Sequence, residues 1–458
     1  MDYSPLEIIQ NFYSLIDLQS KSNFSRINKA YYARLNPALY LEYPSKATIG
    51  CSYPSNESNI KFVDHILKLD KSILMTNIND NPETLDLMQI NNFIMAKKTI
   101  DFSKLLVDTN TELKFSGIES YGHNFYFTIY CKKTKAAMFF VKMCPYPKYR
   151  GFVNINNLFR PQNVELWMIK LLTNNFVAKP QDDPTERSSK YLSCSIVSPI
   201  ATFNTDTKMF IDAVKYDINY YDRRRSKYKY FIGDFHAGLC ENVVSILLGE
   251  LRGNRLVDYF YENYGKMLLR DWTVLIFQIL YTLAVIHQKY PEFRHNKLDY
   301  DSIRVIQTTS KISLRLGDKV SAYCYNLDNV KFHIPNINLQ TKIYDFNLSS
   351  IDSIENLSTK INRLYHYGVT TGKNKYYDMH YYFSGLIKFH YHCLKLCEVM
   401  PIKIVEFIDR IVPADYRVGD KLKAHNGRLS LIDPTEYTTP YKVLMEDPLF
   451  EKYRFTNL

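Results

Sequence analysis

The chain changes once from strand-forming to helix-forming patterns, near Gly253, and this single change limits its fold more than any motif does. Apolar residues alternate through 113–143, with Phe125, Phe127 and Ile129 on one face, and 137–143 forms a short buried run. Gly117 and Gly122 punctuate the start of this region. A helical pattern follows over 160–177, where Val164, Trp167, Met168, Leu171 and Leu172 recur behind Pro161. Residues 196–203 and 228–239 read as two further strands, joined by a polar stretch that carries Arg223, Arg224 and Arg225. Beyond Gly253 the pattern is mostly helical, over 271–287, 375–399 and 402–411. Strands first and helices second, with one helix inside the strand region, predict an α+β fold of two lobes. Residues 1–104 alternate short helical patterns (5–18, 60–69) with polar turns, and predict a mainly helical N-terminal appendage.

Composition excludes wholesale disorder, since 46% of the 458 residues are hydrophobic and 23% charged. Lys and Arg number 58 against 47 Asp and Glu, a net charge of +11 that suits an anionic partner without choosing among nucleotide, nucleic acid and acidic lipid. Eight cysteines lie far apart, without the dense spacing of a disulfide framework, so the chain reads as intracellular. The first residues are acidic where a signal peptide is basic, and the longest apolar run, 272–287, is short and broken by Gln278. Neither a targeting peptide nor a membrane span is expected.

Four polar features make chemical sense in their order. The hairpin from Gly117 to Gly122 lets backbone approach a phosphate chain where side chains would block it. Lys142 ends an apolar strand, and its ammonium would seek phosphate oxygens or a carboxylate. Glu165, on the amphipathic helix that follows, is such a carboxylate. Asp345 follows the apolar-ending strand that includes Ile343 and Tyr344, a place from which a carboxylate could hold magnesium on those phosphates.

With these residues in order, the chain from about residue 110 onward resembles the protein kinases. Val141-Lys142 resembles the end of their third strand with its nucleotide lysine, and Glu165 its partner on the small-lobe helix. Leu248-Gly249-Glu250 resembles the hinge, with Glu250 at the nucleotide. Residues 293–303 fall where the catalytic loop belongs, and Asp345-Phe346-Asn347 where the D-F-G motif belongs. Asp378 resembles the buried aspartate that braces that loop. More narrowly, Arg294-His295-Asn296 and the long stretch between loop and metal motif are similar to the serine/threonine kinases of large DNA viruses. The resemblance implies a small lobe over 105–250, a large lobe over 251–458, ATP and magnesium as cofactors, and a protein substrate or partner. It also implies a place in the host cytoplasm or the virion.

The catalytic loop departs from that pattern. Aligned on His295, Lys297 takes the position of the base Asp and Ser302 that of the metal-binding Asn. An ammonium cannot act as base and repels metal, and a neutral hydroxyl is a weak magnesium ligand. Chemically, the simplest reading is a pseudokinase that holds nucleotide and acts through contacts. The alternative is a working enzyme. Family members carry Asp and then Lys two places on, whereas here Lys297 precedes Asp299, so Asp299 could take over as base, or transfer could run slowly without one. Glu119 at the middle of the glycine hairpin opposes phosphate, and Asn347 replaces a glycine.

Two further clusters have plain readings. His390, His392, Cys393 and Cys397 lack the paired spacing of structural zinc and read as core of a large-lobe helix. The basic run 223–230 could bind nucleic acid, and reads more simply as a solvated loop.

Overall fold

The computed structural model describes Phe62, His65 and residues 87–456, apart from 119–123, 149–153, 177–194, 198, 216–222, 250–252, 308–321, 353, 355, 357–373, 395–399, 418–421, 424–427 and 430–435. The sequence-predicted helix 5–18, Glu119, Gly122, Glu250 and Cys397 lie outside the described residues.

Helices α1 (Leu87–Met95) and α2 (Phe102–Asp108) lead into strands β1 (Thr111–Ile118), β2 (Phe125–Cys131) and β3 (Ala137–Pro147). Helix α3 (Pro161–Phe176) is followed by β4 (Pro199–Asp206), α4 (Thr207–Ala213), β5 (Val214–Lys215), α5 (Arg223–His236) and β6 (Cys240–Gly249). The six strands form one sheet in the order β4-β6-β3-β2-β1-β5, antiparallel except where β5 pairs with β1. Alternation along the strands divides the residues between its faces. Phe125, Phe127 and Ile129 of β2 join Phe139, Val141 and Met143 of β3 in an outer core. Tyr126, Phe140 and Leu247 point the other way, into the core shared with the rest of the chain.

Two expectations change at one segment, 223–239. Residues 228–239 belong mostly to α5 and its C-terminal turn, and the strand expected there lies one segment later, in β6. Tyr228 and Phe231 sit one helical turn apart and both meet Phe125, with ring centroids 5.2 and 5.4 Å away, while Lys227, Lys229 and Tyr230 are exposed. A three-residue spacing of buried aromatics is a helical one, and it overrides the strand preference of Tyr, Phe and Ile. The basic run, expected as a loop, starts this helix. The described part of the expected appendage is also built into the sheet. Ile100 N–H donates to the Asn204 carbonyl at 2.8 Å, and Asn204 N–H to that of Lys98 at 2.7 Å. Lys97 lies between them and α1, donating to Tyr146 Oη at 3.1 Å and to Ser245 Oγ, and burial pushes its ammonium down to about 7.

After Gly249 come β7 (Asn254–Arg255), α6 (Leu256–Asn263), the long α7 (Leu269–Lys289) and β8 (Ile303–Gln307). A hairpin of β9 (Ala322–Leu327) and β10 (Val330–Pro335) leads to β11 (Leu339–Ile343), then α8 (Tyr377–Leu394) and α9 (Ile402–Ile411). Strands β12 (Leu422–Lys423) and β13 (Arg428–Leu429), helix α10 (Pro440–Glu446) and β14 (Arg454–Thr456) end the described chain. Three small sheets, β11-β8-β7, β14-β10-β9 and β12-β13, support these helices. The fold is α+β, with a sheet-rich small lobe and a mainly helical large lobe.

Among the described residues α7 is the one helix long and apolar enough to cross a membrane, yet 83% of its apolar window is buried inside the protein. It is the central helix of the large lobe. The residue that interrupts its apolar run has a structural role. Gln278 Oε1 accepts from Thr341 N–H at 2.7 Å, and Gln278 Nε2 donates to the Leu339 carbonyl at 3.0 Å, so a buried amide ties α7 to β11. Strand β11 in turn meets the residues ahead of β4. Val197 N–H donates to the Ile343 carbonyl at 3.0 Å, and Ile343 N–H to that of Ser195 at 2.7 Å.

Candidate functional site

Lys142 shares the inner face of β3 with Phe140, two residues back, because side chains two apart on a strand point the same way. It is 2% exposed, too buried for an unpaired ammonium. Its Nζ lies 2.7 Å from Glu165 Oε1 on α3 and 2.8 Å from Asp345 Oδ1. The ring of Tyr126, opposite Lys142 on β2, lies 5.6 Å from the ammonium. Burial raises the carboxyl of Glu165, and the charge of Lys142 opposes that rise.

Asp345 takes a left-handed backbone conformation (φ 69°, ψ 54°) as it leaves Tyr344 for the 3-10 turn Phe346–Leu348. Such angles are uncommon outside glycine but easiest for Asp and Asn. The second carboxylate oxygen of Asp345 lies 2.5 Å from Lys297 Nζ. Glu165, Lys142, Asp345 and Lys297 therefore form a row of alternating charges, each between 2% and 3% exposed. The row contains two cations and two anions, and the fold brings them together from β3, α3, the loop before β8 and the turn after β11.

The loop 294–302 rests on a second buried carboxylate. Asp378 of α8 accepts from His295 N–H at 2.7 Å and from Asn296 N–H at 2.9 Å. Burial raises the carboxyl of Asp378, and those two donors pull it back. The His295 ring packs on Phe346 with centroids 5.0 Å apart, and its Nε2 meets the Tyr344 carbonyl at 3.0 Å. Burial pushes His295 down to about 4, which leaves the imidazole neutral and fixes Nε2–H as the donor. Arg428 donates to the Asn296 carbonyl from β13.

Asp299 and Ser302 do something else. Asp299 Oδ1 accepts from the backbone N–H of Asp301 and of Ser302, each at 2.9 Å. Ser302, fully buried, donates its hydroxyl to the Lys297 carbonyl and accepts from Asp299 N–H at 2.9 Å. Both side chains close the turn between Lys297 and β8, as short polar side chains commonly do. Burial raises the Asp299 carboxyl, opposed first by Lys297.

The geometry thus unites Lys142, Glu165, Asp345 and Lys297, and holds Asp299 and Ser302 in a neighbouring turn. Gly117 lies at a bulge in β1, where it pairs with Tyr126. Tyr126, Phe140 and Tyr344 are parts of the site that the sequence pattern does not single out. Counting back by two from Lys142 would find Phe140.

The donors around Asp345 do not fit a magnesium ion. Each of its carboxylate oxygens faces an ammonium, and the hydroxyl of Ser302 is engaged with its own loop. Among the described residues, no three His, Cys, Asp or Glu side chains converge as metal ligands. This holds also for the 390–393 segment, where His390 Nδ1 meets Tyr264 Oη at 2.6 Å and Cys393 is buried.

No family model matches the chain. A protein of Acanthamoeba polyphaga mimivirus named "putative serine/threonine-protein kinase" is 38% identical over 363 residues, which is 79% of this chain and 73% of the relative. Among solved structures, a crystallised kinase domain is 16% identical and overlaps 53% of this chain with a TM-score of 0.26. The chain spans about half of that solved chain (51%).

Proposed function

The chain belongs to the serine/threonine-protein-kinase-like proteins of large DNA viruses, and from that premise we propose that it has given up phosphoryl transfer and works as a protein-binding module. Family membership points to ATP and magnesium in general. The observation that carries the proposal is the pair of ammonium groups on Asp345, one of them from the residue aligned with the catalytic base. Phosphoryl transfer runs on positioning and on countercharge to the phosphates, with metal ions bridging their oxygens. Here an ammonium faces the carboxylate that would hold such an ion. An ammonium also has no lone pair with which to take the proton of an attacking hydroxyl.

The competing enzyme reading asks Asp299 to be the base. Its carboxylate instead receives two backbone N–H groups of its own turn, which supports the module reading. The partner on this reading is another protein in the host cell or virion, and nucleic acid along the basic start of α5 is the less supported choice.

A phosphotransfer assay with labelled ATP and generic Ser/Thr protein substrates tests this. We expect the intact chain to match its Lys142→Ala variant at background. Transfer that Asp299→Ala abolishes would establish the enzyme reading in its place.

A further inference from the structure

The inner face of the small-lobe sheet carries more than the ion pairs, and what it carries bears on whether any nucleotide enters. We propose that the cleft is filled from within: Phe140 and Tyr126 occupy the surface on which a nucleotide would lie, and Lys297 supplies the positive charge that its metal would bring. The inference rests on the kinase-fold reading and deepens it, by stating what this site excludes.

A nucleotide whose phosphates reached Lys142 would have to spread over the neighbouring inner-face positions. Those positions follow from strand register. Lys142 pairs with Tyr126 on β2 and with Leu247 on β6, and Phe140 pairs with Gly249. All three large side chains are buried, Tyr126 to 2% exposure and Phe140 and Leu247 to 4%. They belong to one continuous core with Leu256, Ile343 and Phe346 of the large lobe. The Phe140 ring lies so close over Gly249 that a Cβ there would collide with it, so the ring covers the strand end that leads between the lobes.

Tyr344 closes the other side. Its ring stands 6.2 Å from that of Tyr126 and under the guanidinium of Arg304, 4.4 Å away, and its hydroxyl donates to the Asp301 carbonyl. Inside this wall the Glu165–Lys142–Asp345–Lys297 row balances its own charge. The Lys142–Glu165 pair is one that a nucleotide-holding site also keeps; what closes this row is Lys297 on Asp345, the carboxylate that would otherwise face metal. The lobes are therefore joined by side chains of the chain itself.

The test is thermal unfolding of the full chain and of Phe140→Ala, each with ATP or ADP at millimolar concentration, in magnesium and separately in chelator. Ligand at 100 times its dissociation constant raises the melting temperature by about 2 °C or more. We expect no rise in the wild type under any condition, and a rise in Phe140→Ala. A rise in the wild type overturns the proposal, and so does silence in both proteins, because Phe140 is then not what keeps nucleotide out. Should Phe140→Ala fail to fold, Phe140→Val takes its place in the same comparison. Failure here is separable from failure of the proposed function. Wild-type binding without transfer sinks only the filled cleft, whereas wild-type transfer sinks both.

Discussion

Two buried aspartates hold neighbouring residues of one short loop and do opposite things. Asp378 holds backbone: it takes the N–H groups of His295 and Asn296 and fixes the loop against α8. Asp345 holds side chains: it takes the ammonium groups of Lys142 and Lys297. The first arrangement maintains a shape in which a catalytic loop could work. The second spends, on internal ion pairs, the charge with which such a loop would work. Shape and chemistry have come apart in this chain, and they have done so within a few residues of each other.

The sharpest break of that comparison is Asp345→Ala. It leaves two buried cations without their shared carboxylate, and we expect a loss of about 3–5 kcal/mol in urea unfolding, the usual range for breaking a buried ion pair. If the four charges act as a unit, adding Lys297→Met to Asp345→Ala costs much less than the sum of the single changes. Additive losses would dissolve the row into separate contacts. Asp378→Ala should follow at about 2–4 kcal/mol, from two buried N–H groups left without acceptors. Asp378→Asn, which keeps one acceptor oxygen, should recover part of it.

Acid probes the shape side through His295. The folded protein holds His295 neutral down to about 4, while the unfolded chain protonates near the ordinary value of 6.5. The unfolded state therefore binds the extra proton between those values, and the stability that His295 lends, present above 6.5, is lost as pH falls through the window. The difference in unfolding free energy between wild type and His295→Asn should shrink by up to about 1.4 kcal/mol per pH unit across it. A pH-independent difference would mean that His295 is not held neutral. The smallest effect belongs to Asp299→Ala. Losing a turn cap costs about 1 kcal/mol, and phosphotransfer should stay at background.

Much of this site is legible in the sequence. Lys142, Glu165 and Asp345 meet as their order along the chain suggests, because a lysine at the end of an apolar strand must find carboxylates and only a few are placed to reach it. The long helices around 271–287 and 402–411 are equally plain, the first as an apolar run too long for one strand and buried all round, the second as apolar residues at helical spacing on one face. From sequence, Lys297 marks the loss of a base, which is a local statement. That it seats itself on Asp345 is a contact between distant segments, and such contacts leave no local pattern. Helix α5 is hidden because Tyr228, Tyr230, Phe231 and Ile232 are strand formers by type, and residue type masks the helical spacing of the two that are buried. Phe140 is visible as an apolar strand residue, but that it faces inward follows only once the parity of β3 is fixed from Lys142.

Lys97 sets a limit on how the molecule can be taken apart. Its amine lies among Tyr146 and Ser245 in the middle of the sheet, although it precedes the first strand by more than a dozen positions. A fragment cut at residue 105, where the small lobe is expected to begin, would lose the amine that donates to these hydroxyls and the backbone pairing of Lys98 and Ile100 with Asn204. Expression trials on such a fragment would report insolubility and invite the conclusion that the kinase-like part cannot stand alone. The fault would lie in the cut, since the donor to those hydroxyls is carried on the piece thrown away.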